Sequence, residues 1–574
     1  MRSPAHPKCH LLTVLVEDYF QVGAFEKLIQ ERNWANFATR YENNTLKALD
    51  LLDQFDTKAT FFVLGWIAEQ NPGLVHEIAS RGHEIASRGY YHRSLKNLTP
   101  DEFREDLRRT NHALELASGQ KVIGYRSAEK LEFGRDKWVL DELASEGFVY
   151  DASFMPSRRD DRVDRFAREV KTAEQSIWEF PYSTVDLGIG LLPISGGNYI
   201  RQIPFSLLKH AITNWDRSFK QPFVFYFHVW ELDPEQPRIS PATYLNRIRH
   251  YRKLDKMGWV IRENLRRYQF SSVAAYLGIN DQPVLPESIR YKSDKKFEVR
   301  DPHPSSDSHL PVSIVIPCYN ECEALPYLAN TLRGVEMKLL DAGYRSQFLF
   351  VDDGSTDATL EKLNELFGTK KNVKFVRHDT NMGVAAAIFT GLKSSETEIV
   401  CSMDCDCTYD PLHLVDMLPL LDSSTDMVTA SPYHREGEVR NVPGWRLFLS
   451  KGASFLYRRT LNTKLFTYTS CFRVYRRDSV IQLDMQEGGF LGVAEMLGKL
   501  DLAGGKIVEY PATLEVRLFG ASKMKTAKTI FGHLRLLSRL GRLRFFGKTH
   551  QIKPSLPRDT VKTESKERER NIER

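Results

Sequence analysis

No run of about 18 consecutive apolar residues occurs in the sequence, so a spanning helix is not expected. The first residues, MRSPAHPKCHLL, lack the apolar core of a secretory signal. The expected location is therefore cytoplasmic, with at most peripheral contact on the membrane face. A dominant charge is missing too. The chain has 80 Lys+Arg against 74 Asp+Glu, a net +6 over 574 residues, which makes no case for nucleic acid as a partner. Cysteine is scarce: of seven, six follow residue 317 (Cys318, Cys322, Cys401, Cys405, Cys407, Cys471), and their spacing fits no zinc pattern. Reduced thiols are expected. The length exceeds what one core supports, so two or three domains are expected.

The stretch Ile399–Pro411, IVCSMDCDCTYDP, reads as a buried strand running into an acidic tip. Asp404 and Asp406 stand two positions apart, so strand geometry places them on one face. Two carboxylate ligands at one point suit Mg²⁺ or Mn²⁺, with a diphosphate supplying further oxygens. Upstream, Val312–Ile316 is a strand-like run ending at Pro317-Cys318-Tyr319-Asn320-Glu321, and Phe348–Val351 is another, ending at Asp352-Asp353-Gly354-Ser355. Helical patterns lie between them. This βαβαβα order predicts a doubly wound sheet with ligand residues at the carboxyl ends of its strands.

Over residues 311–520 these motifs resemble a family 2 glycosyltransferase of the GT-A fold, and in particular the polyprenyl- or dolichyl-phosphate mannosyltransferases. The stretches Thr469–Arg477 and Arg517-Leu518-Phe519-Gly520-Ala521-Ser522-Lys523 carry the likeness further. The resemblance implies that Pro317, Tyr319, Glu321 and Asp353 hold the base and ribose of a nucleotide sugar. It gives Asp404 and Asp406 to the metal and diphosphate, and Arg517, Lys523 and Arg446 to phosphate. A lipid-phosphate acceptor is already an anion and needs no base. A polysaccharide hydroxyl does need one, and Asp410 and Glu495 are the candidates. The chain departs from the lipid-phosphate group at Pro432-Tyr433, where an arginine usually precedes the tyrosine, and at Thr408.

In residues 1–280 helical patterns alternate with strand-like runs, which predicts an α/β sheet or barrel. The pieces Lys58–Trp66, Gly82–Arg93, Gly124–Ser127, Tyr150–Ser153 and Phe227–Ile239 resemble a NodB-type polysaccharide deacetylase of carbohydrate esterase family 4, implying a distorted (β/α) barrel. Such enzymes hold a metal with one carboxylate and two histidines beside a catalytic aspartate. Here the base position is Leu15, and one metal-binding histidine is replaced by Arg88. Glu17, Asp18, His92, Arg126, Asp151 and His228 remain as a degenerate site. Arg88 is expected to pair with Glu17 or Asp18 in the metal's place, with hydrolysis lost. A bifunctional N-deacetylase and glycosyltransferase working on one polysaccharide intermediate in exopolysaccharide biosynthesis, and a wholly non-catalytic glycan-binding protein, are the alternatives.

Residues 281–310 read as a proline- and charge-rich linker. Residues 521–548 carry eight Lys/Arg and no acid, with Arg535, Arg539 and Arg542 spaced for one face of an amphipathic helix suited to an anionic membrane. Residues 549–574 are polar, and disorder is expected there.

Overall fold

A computed structural model of the protein describes residues 8–156, 165–186, 190–279, 309–520 and 526–546. The chain divides into two compact units. One comprises Met1–Trp34, Thr39–Gln236 and Ala242–Val299; the other comprises Ala35–Ala38, Pro237–Pro241 and Arg300–Arg574. Nearly all of the expected linker, Lys523 and the polar tail lie outside the described residues.

Unit 1 is built on strands whose side chains are buried on both faces. β1 (Cys9–Val16) and β2 (Thr60–Val63) read CHLLTVLV and TFFV, mostly apolar runs of the kind a covered parallel sheet requires. Helix α1 (Tyr41–Asp53) follows β1. After β3 (Glu84–Ser87), α2 (Pro100–Ser118) starts on a capping box between Thr99 and Glu102, with Pro100 in its first turn. It stops at Gly119, whose φ of 71° suits a residue without a Cβ.

The remaining strands of this unit are β4 (Gly124–Tyr125), β5 (Tyr150–Asp151), β6 (Arg168–Lys171), β7 (Ser176–Glu179), β8 (Thr184–Asp186), β9 (Leu191–Pro193), β10 (Val224–His228) and β11 (Gln269–Ser271). The main sheet runs β10-β1-β2-β3-β4-β5-β7-β6, with β11 added to the start of β1. All of its pairings are parallel except β6 with β7. It is a curled half-barrel whose described strands do not close, which refines the expected barrel. Register aligns Leu15 with His228 and Phe62, Ser87 with Tyr125, and Tyr125 with Asp151. One carboxyl-end rim therefore gathers every residue of the degenerate site.

Unit 2 opens with β12 (Leu310–Cys318), α3 (Leu325–Asp341), β13 (Tyr344–Asp352), α4 (Thr359–Phe367), β14 (Val373–Arg377), α5 (Val384–Ser394) and β15 (Ile399–Ser402). It continues through β16 (Met427–Ser431), β17 (Glu438–Val439), α6 (Gly444–Thr460), β18 (Arg473–Arg476), α7 (Phe490–Leu502), β19 (Ile507–Pro511), β20 (Thr513–Leu514) and α8 (Thr526–Phe546). The seven-stranded sheet has the order β14-β13-β12-β15-β18-β16-β19, with β18 antiparallel to both neighbours. Its two faces are covered by separate apolar clusters, one including Leu325, Leu328 and Leu332 of α3, the other Ile388 of α5 and Leu497 of α7. This is the doubly wound, GT-A-type α/β arrangement. Pairing of Cys318 with Asp352 and of Val315 with Ser402 brings the ends of β12, β13 and β15 to one rim.

Candidate functional site

At the rim of unit 2, the turn after β12 carries Glu321 and the turn after β15 carries the acid pair. Arg517 joins them: its Nη2 donates to Glu321 Oε2, and its Nε stands 3.5 Å from Asp406 Oδ2. Burial, and then the neighbouring Asp406, push the Asp404 carboxyl up to about 7, against the Cys471 thiol and Arg517, which pull it down. Two acids crowded in a desolvated place repel each other, and that repulsion is what a bound cation would relieve. Asn320 and Cys407 hold left-handed backbone, φ 51° and 52°. Such conformations are costly for residues with a Cβ and concentrate where a turn must present function. Pro317, in β12, and Tyr319 sit on either side of buried Cys318, at the strand end that aims Glu321.

Asp353, expected to hold the base and ribose, makes a dense set of bonds within the chain. Its Oδ1 accepts from the Met382 amide at 2.8 Å and faces His378 Nδ1 at 2.7 Å, while Oδ2 accepts from Asn381 Nδ2 at 3.0 Å and the Gly383 amide at 2.7 Å. Both oxygens are engaged in fixing the turn that opens α5. Gly383 is required in that turn: its φ is 100°, and a Cβ would fall 2.6 Å from the Gly488 carbonyl oxygen. His378 and Asn381 thus belong to the site's framework, and no motif in the sequence singles them out.

Glu495 is corrected from base candidate to interior ion pair. It is fully buried, with Arg539 at 2.9 Å and Lys499 at 3.0 Å on one oxygen, and the Gln486 and Glu487 amides at 3.1 and 2.8 Å on the other. Asp410 uses Oδ1 to accept from the Leu412 amide. Arg446, on α6, pairs with no carboxylate among the described residues and lies 5.3 Å from the centre of the Trp445 ring.

A cavity of about 610 Å³ begins at Asp406 and Arg517 and runs between α6 and α8. Its walls include Tyr433, Arg446, Phe455 and Leu534. No local pattern announces it, because its walls come from helices far apart in the chain. Among the described residues, no cluster of three or more His, Cys, Asp or Glu forms a self-sufficient metal cage. Asp404 and Asp406 fit a cation whose remaining ligands come from a diphosphate.

In unit 1, Glu17 is the hub. Its Oε2 accepts from Arg88 Nε at 3.1 Å and lies 3.3 Å from His92 Nε2, while Oε1 lies 2.5 Å from His228 Nδ1 and 3.4 Å from Trp230 Nε1. Arg88 also donates to the Ser127 carbonyl and stands 3.2 Å from His92. Burial opposes the Glu17 charge, yet Arg88, His228 and His92 together hold it well below the usual carboxylate range. The expected Arg88–Glu17 pair is therefore present, with the guanidinium beside His92 and His228 on the other carboxylate oxygen.

Asp18 is a structural cap instead. It accepts from the Tyr19, Arg40 and Tyr41 amides, and burial pushes it up to about 6. Asp151 accepts from Ser153, and Arg126 lies 4.6 and 4.3 Å from the ring centres of Tyr182 and Tyr226 while donating to Thr13. Leu15 is buried in β1, with no proton-accepting group at that position.

Comparison with known proteins agrees with both halves. The glycosyl transferase family 2 model matches residues 313–484, the polysaccharide deacetylase model matches 30–132, and a domain of unknown function matches 152–278. A polyprenol monophosphomannose synthase of Mycolicibacterium smegmatis is 31% identical over 219 residues, 37% of this chain and 80% of that protein. A dolichol-phosphate mannosyltransferase of Pyrococcus furiosus is 32% identical over 233 residues, 40% of this chain. The chain spans 64% of the length of that relative. Among solved structures, glucosyl-3-phosphoglycerate synthase of Mycobacterium tuberculosis is 18% identical, with 41% of this chain and 80% of that one covered and a TM-score of 0.30. With the GT-A sheet, the acid pair and these matches together, the chain belongs to glycosyl transferase family 2, its transferase unit joined to a polysaccharide deacetylase domain.

Proposed function

We propose that unit 2 moves a sugar from a nucleoside diphosphate to a polyprenyl phosphate, with a divalent cation, Mg²⁺ or Mn²⁺, held by Asp404 and Asp406. The observation that carries this reading is the junction of the Glu321–Arg517–Asp406 cluster with an apolar cavity. The charged end suits a diphosphate and the apolar end suits an isoprenoid. When bound, the cation supplies positive charge to the departing diphosphate. Arg517 adds a fixed cation beside Asp406, where it can bind leaving phosphate oxygens. Arg446, without a carboxylate partner in the same cavity, is available to an acceptor phosphate.

An anionic acceptor needs no general base, and the engagement of Glu495 in the interior favours it over a polysaccharide hydroxyl. Asp353 and His378 act by holding the 381–383 turn. Unit 1 keeps a sheet and a polar centre, but the Arg88 guanidinium and Leu15 leave it impaired for metal-assisted hydrolysis. Peripheral membrane contact through residues 521–548 belongs to the same reading.

The test is transfer from radiolabelled nucleotide sugars to a short-chain polyprenyl phosphate in detergent. Wild type should form a lipid-linked sugar with added Mg²⁺ or Mn²⁺. Asp404→Ala and Asp406→Ala should lose at least about a hundredfold in kcat/KM, on the scale of losing one electrostatic contributor. Wild-type activity that survives chelation, or that persists in both variants, would overturn the assignment.

A further inference from the structure

The ladder between β12 and β13 ends with Cys318 opposite Asp352 and one further bond, from the Asp353 amide to the Cys318 carbonyl at 2.8 Å. Past that point side chains join the two turns. Asn320, between Tyr319 and Glu321, accepts on Oδ1 from the Thr356 amide at 2.8 Å, the Asp357 amide at 3.3 Å and the Thr356 hydroxyl at 3.4 Å. Its own amide donates to Ser355 Oγ at 2.9 Å, and the Ser355 amide donates to Asp352 Oδ1 at 3.0 Å. The Glu321 amide donates to Thr359 Oγ1 at 2.8 Å, and that hydroxyl donates to Asp357 Oδ1.

The chemistry of each group suits this duty. Asn tolerates the positive φ of position 320 and brings a side-chain acceptor, which Gly would not. Its one oxygen satisfies two backbone amides of the other turn, and such amides are costly to leave unpaired. Thr359 is fully buried at the start of α4, so its hydroxyl needs partners, and these are the Glu321 amide and Asp357. The β13 turn is also fixed from its far side. Gly354 has a φ of 71°, and a Cβ there would fall 2.6 Å from the Thr380 carbonyl carbon. The lattice therefore runs from the turns around Asp353 to Glu321, and Glu321 meets Arg517.

We propose that the Asn320 carboxamide and the Thr359 hydroxyl are positioning groups for the nucleotide end of the site, holding Glu321 against Arg517 before any ligand binds. The inference rests on the reading of this rim as a nucleoside-diphosphate site. Neither group touches the ligand; each acts through Glu321. A rim set in advance spares the ligand the cost of ordering it, so its loss belongs in donor affinity more than in turnover.

Three variants of the full chain test this. Asn320→Gly keeps the left-handed backbone and deletes the acceptor. Thr359→Val keeps the shape and deletes the hydroxyl, and Thr359→Ser retains the hydroxyl. Hydrogen exchange read by mass spectrometry should quicken in peptides 318–324 and 353–359 of the first two and stay near wild type in Thr359→Ser. Calorimetry with UDP or GDP and Mn²⁺ should find affinity about tenfold weaker in the first two, and within about threefold of wild type in Thr359→Ser. In the transfer assay their donor KM should rise by a similar factor, with kcat within about threefold, the pattern of lost binding and not of lost chemistry. A merely structural role would lower the folded fraction and leave KM alone.

Faster exchange with wild-type nucleotide affinity and donor KM overturns the positioning role. So does unchanged exchange, or a Thr359→Ser as weak as Thr359→Val. Wild type that binds UDP or GDP but transfers no sugar overturns the reaction, and the affinities of the variants then decide the positioning role alone. Wild type that binds neither nucleotide overturns both.

Discussion

Arg88 places a fixed positive charge, 4% exposed, against a carboxylate that is 1% exposed. Removing one partner of a buried pair strands the other, which typically costs about 3–5 kcal/mol. Arg88→Met should therefore lower stability to urea by a few kcal/mol near neutral pH. The sign with pH follows from Glu17. Its folded-state value lies well below the ordinary 4.5, so its stabilisation is present above that pH and drains away as pH falls through the lower value. The gap between variant and wild type should accordingly narrow in acid, as measured by denaturation midpoints across pH.

Asp404 runs the other way. Burial and Asp406 raise it to about 7, so the folded state holds a proton that the unfolded state releases near 3.8. Stability is therefore lost as pH climbs from about 4 to about 7. Asp404→Asn should remove that loss. In chelator-treated protein it should add stability on the order of 1–2 kcal/mol at pH 8, seen as a higher thermal midpoint, and leave the midpoint at pH 4 almost unchanged. Both residues were legible in the sequence as departures from, or matches to, a motif. The duties of Asp353 and Asp18 were not. A carboxylate that fixes a turn looks the same in a linear string as one that binds a ligand, and only its hydrogen-bond partners distinguish them.

At the level of elements, Glu495 on α7 and Arg539 on α8 show what periodicity conceals. Arg535, Arg539 and Arg542 fall on one helical side by spacing. Yet Arg539 turns inward to Glu495 and Glu487, while Arg535 and Arg542 stay exposed. A lone helix cannot reveal which of its cations will meet a buried acid. The pair should be energetically coupled. Glu495→Gln and Arg539→Met should each destabilise, and the double variant should cost less than their sum by about 1–3 kcal/mol, read from a double-mutant cycle in urea. Additive losses would mean that the ion pair does not fasten α8 to α7.

Strands were easier to read than the cavity. TFFV and the β15 segment IVCS are short apolar runs of the kind a sheet covered on both faces requires. The cavity is walled by α6 and α8 together, and no local pattern in either helix announces that the two meet.

At the scale of the whole molecule, a family 2 glycosyltransferase unit and a polysaccharide deacetylase domain share one chain and differ in what occupies their carboxylate centres. In unit 2 the acids, Arg517 and the cavity coincide. In unit 1 the sheet register still delivers Glu17, His92 and His228 to one point, and the alteration is confined to the side chains placed there. Arg88 competes with any divalent ion for the same carboxylate, and Leu15 offers no lone pair to a water molecule. This predicts a division of labour measurable on the full chain. Wild type should hold close to one divalent ion, released by Asp404→Ala with Asp406→Ala, and should transfer sugar without releasing acetate from N-acetylated oligosaccharides. His92→Ala with His228→Ala should leave transfer within about threefold, because neither side chain belongs to the transferase unit. Leu15→Asp with Arg88→His should add a second ion per chain, read by elemental analysis independently of any acetate release. A wild-type chain that already carries two ions and deacetylates would show that the guanidinium yields to metal, and the domain would then count as a working hydrolase.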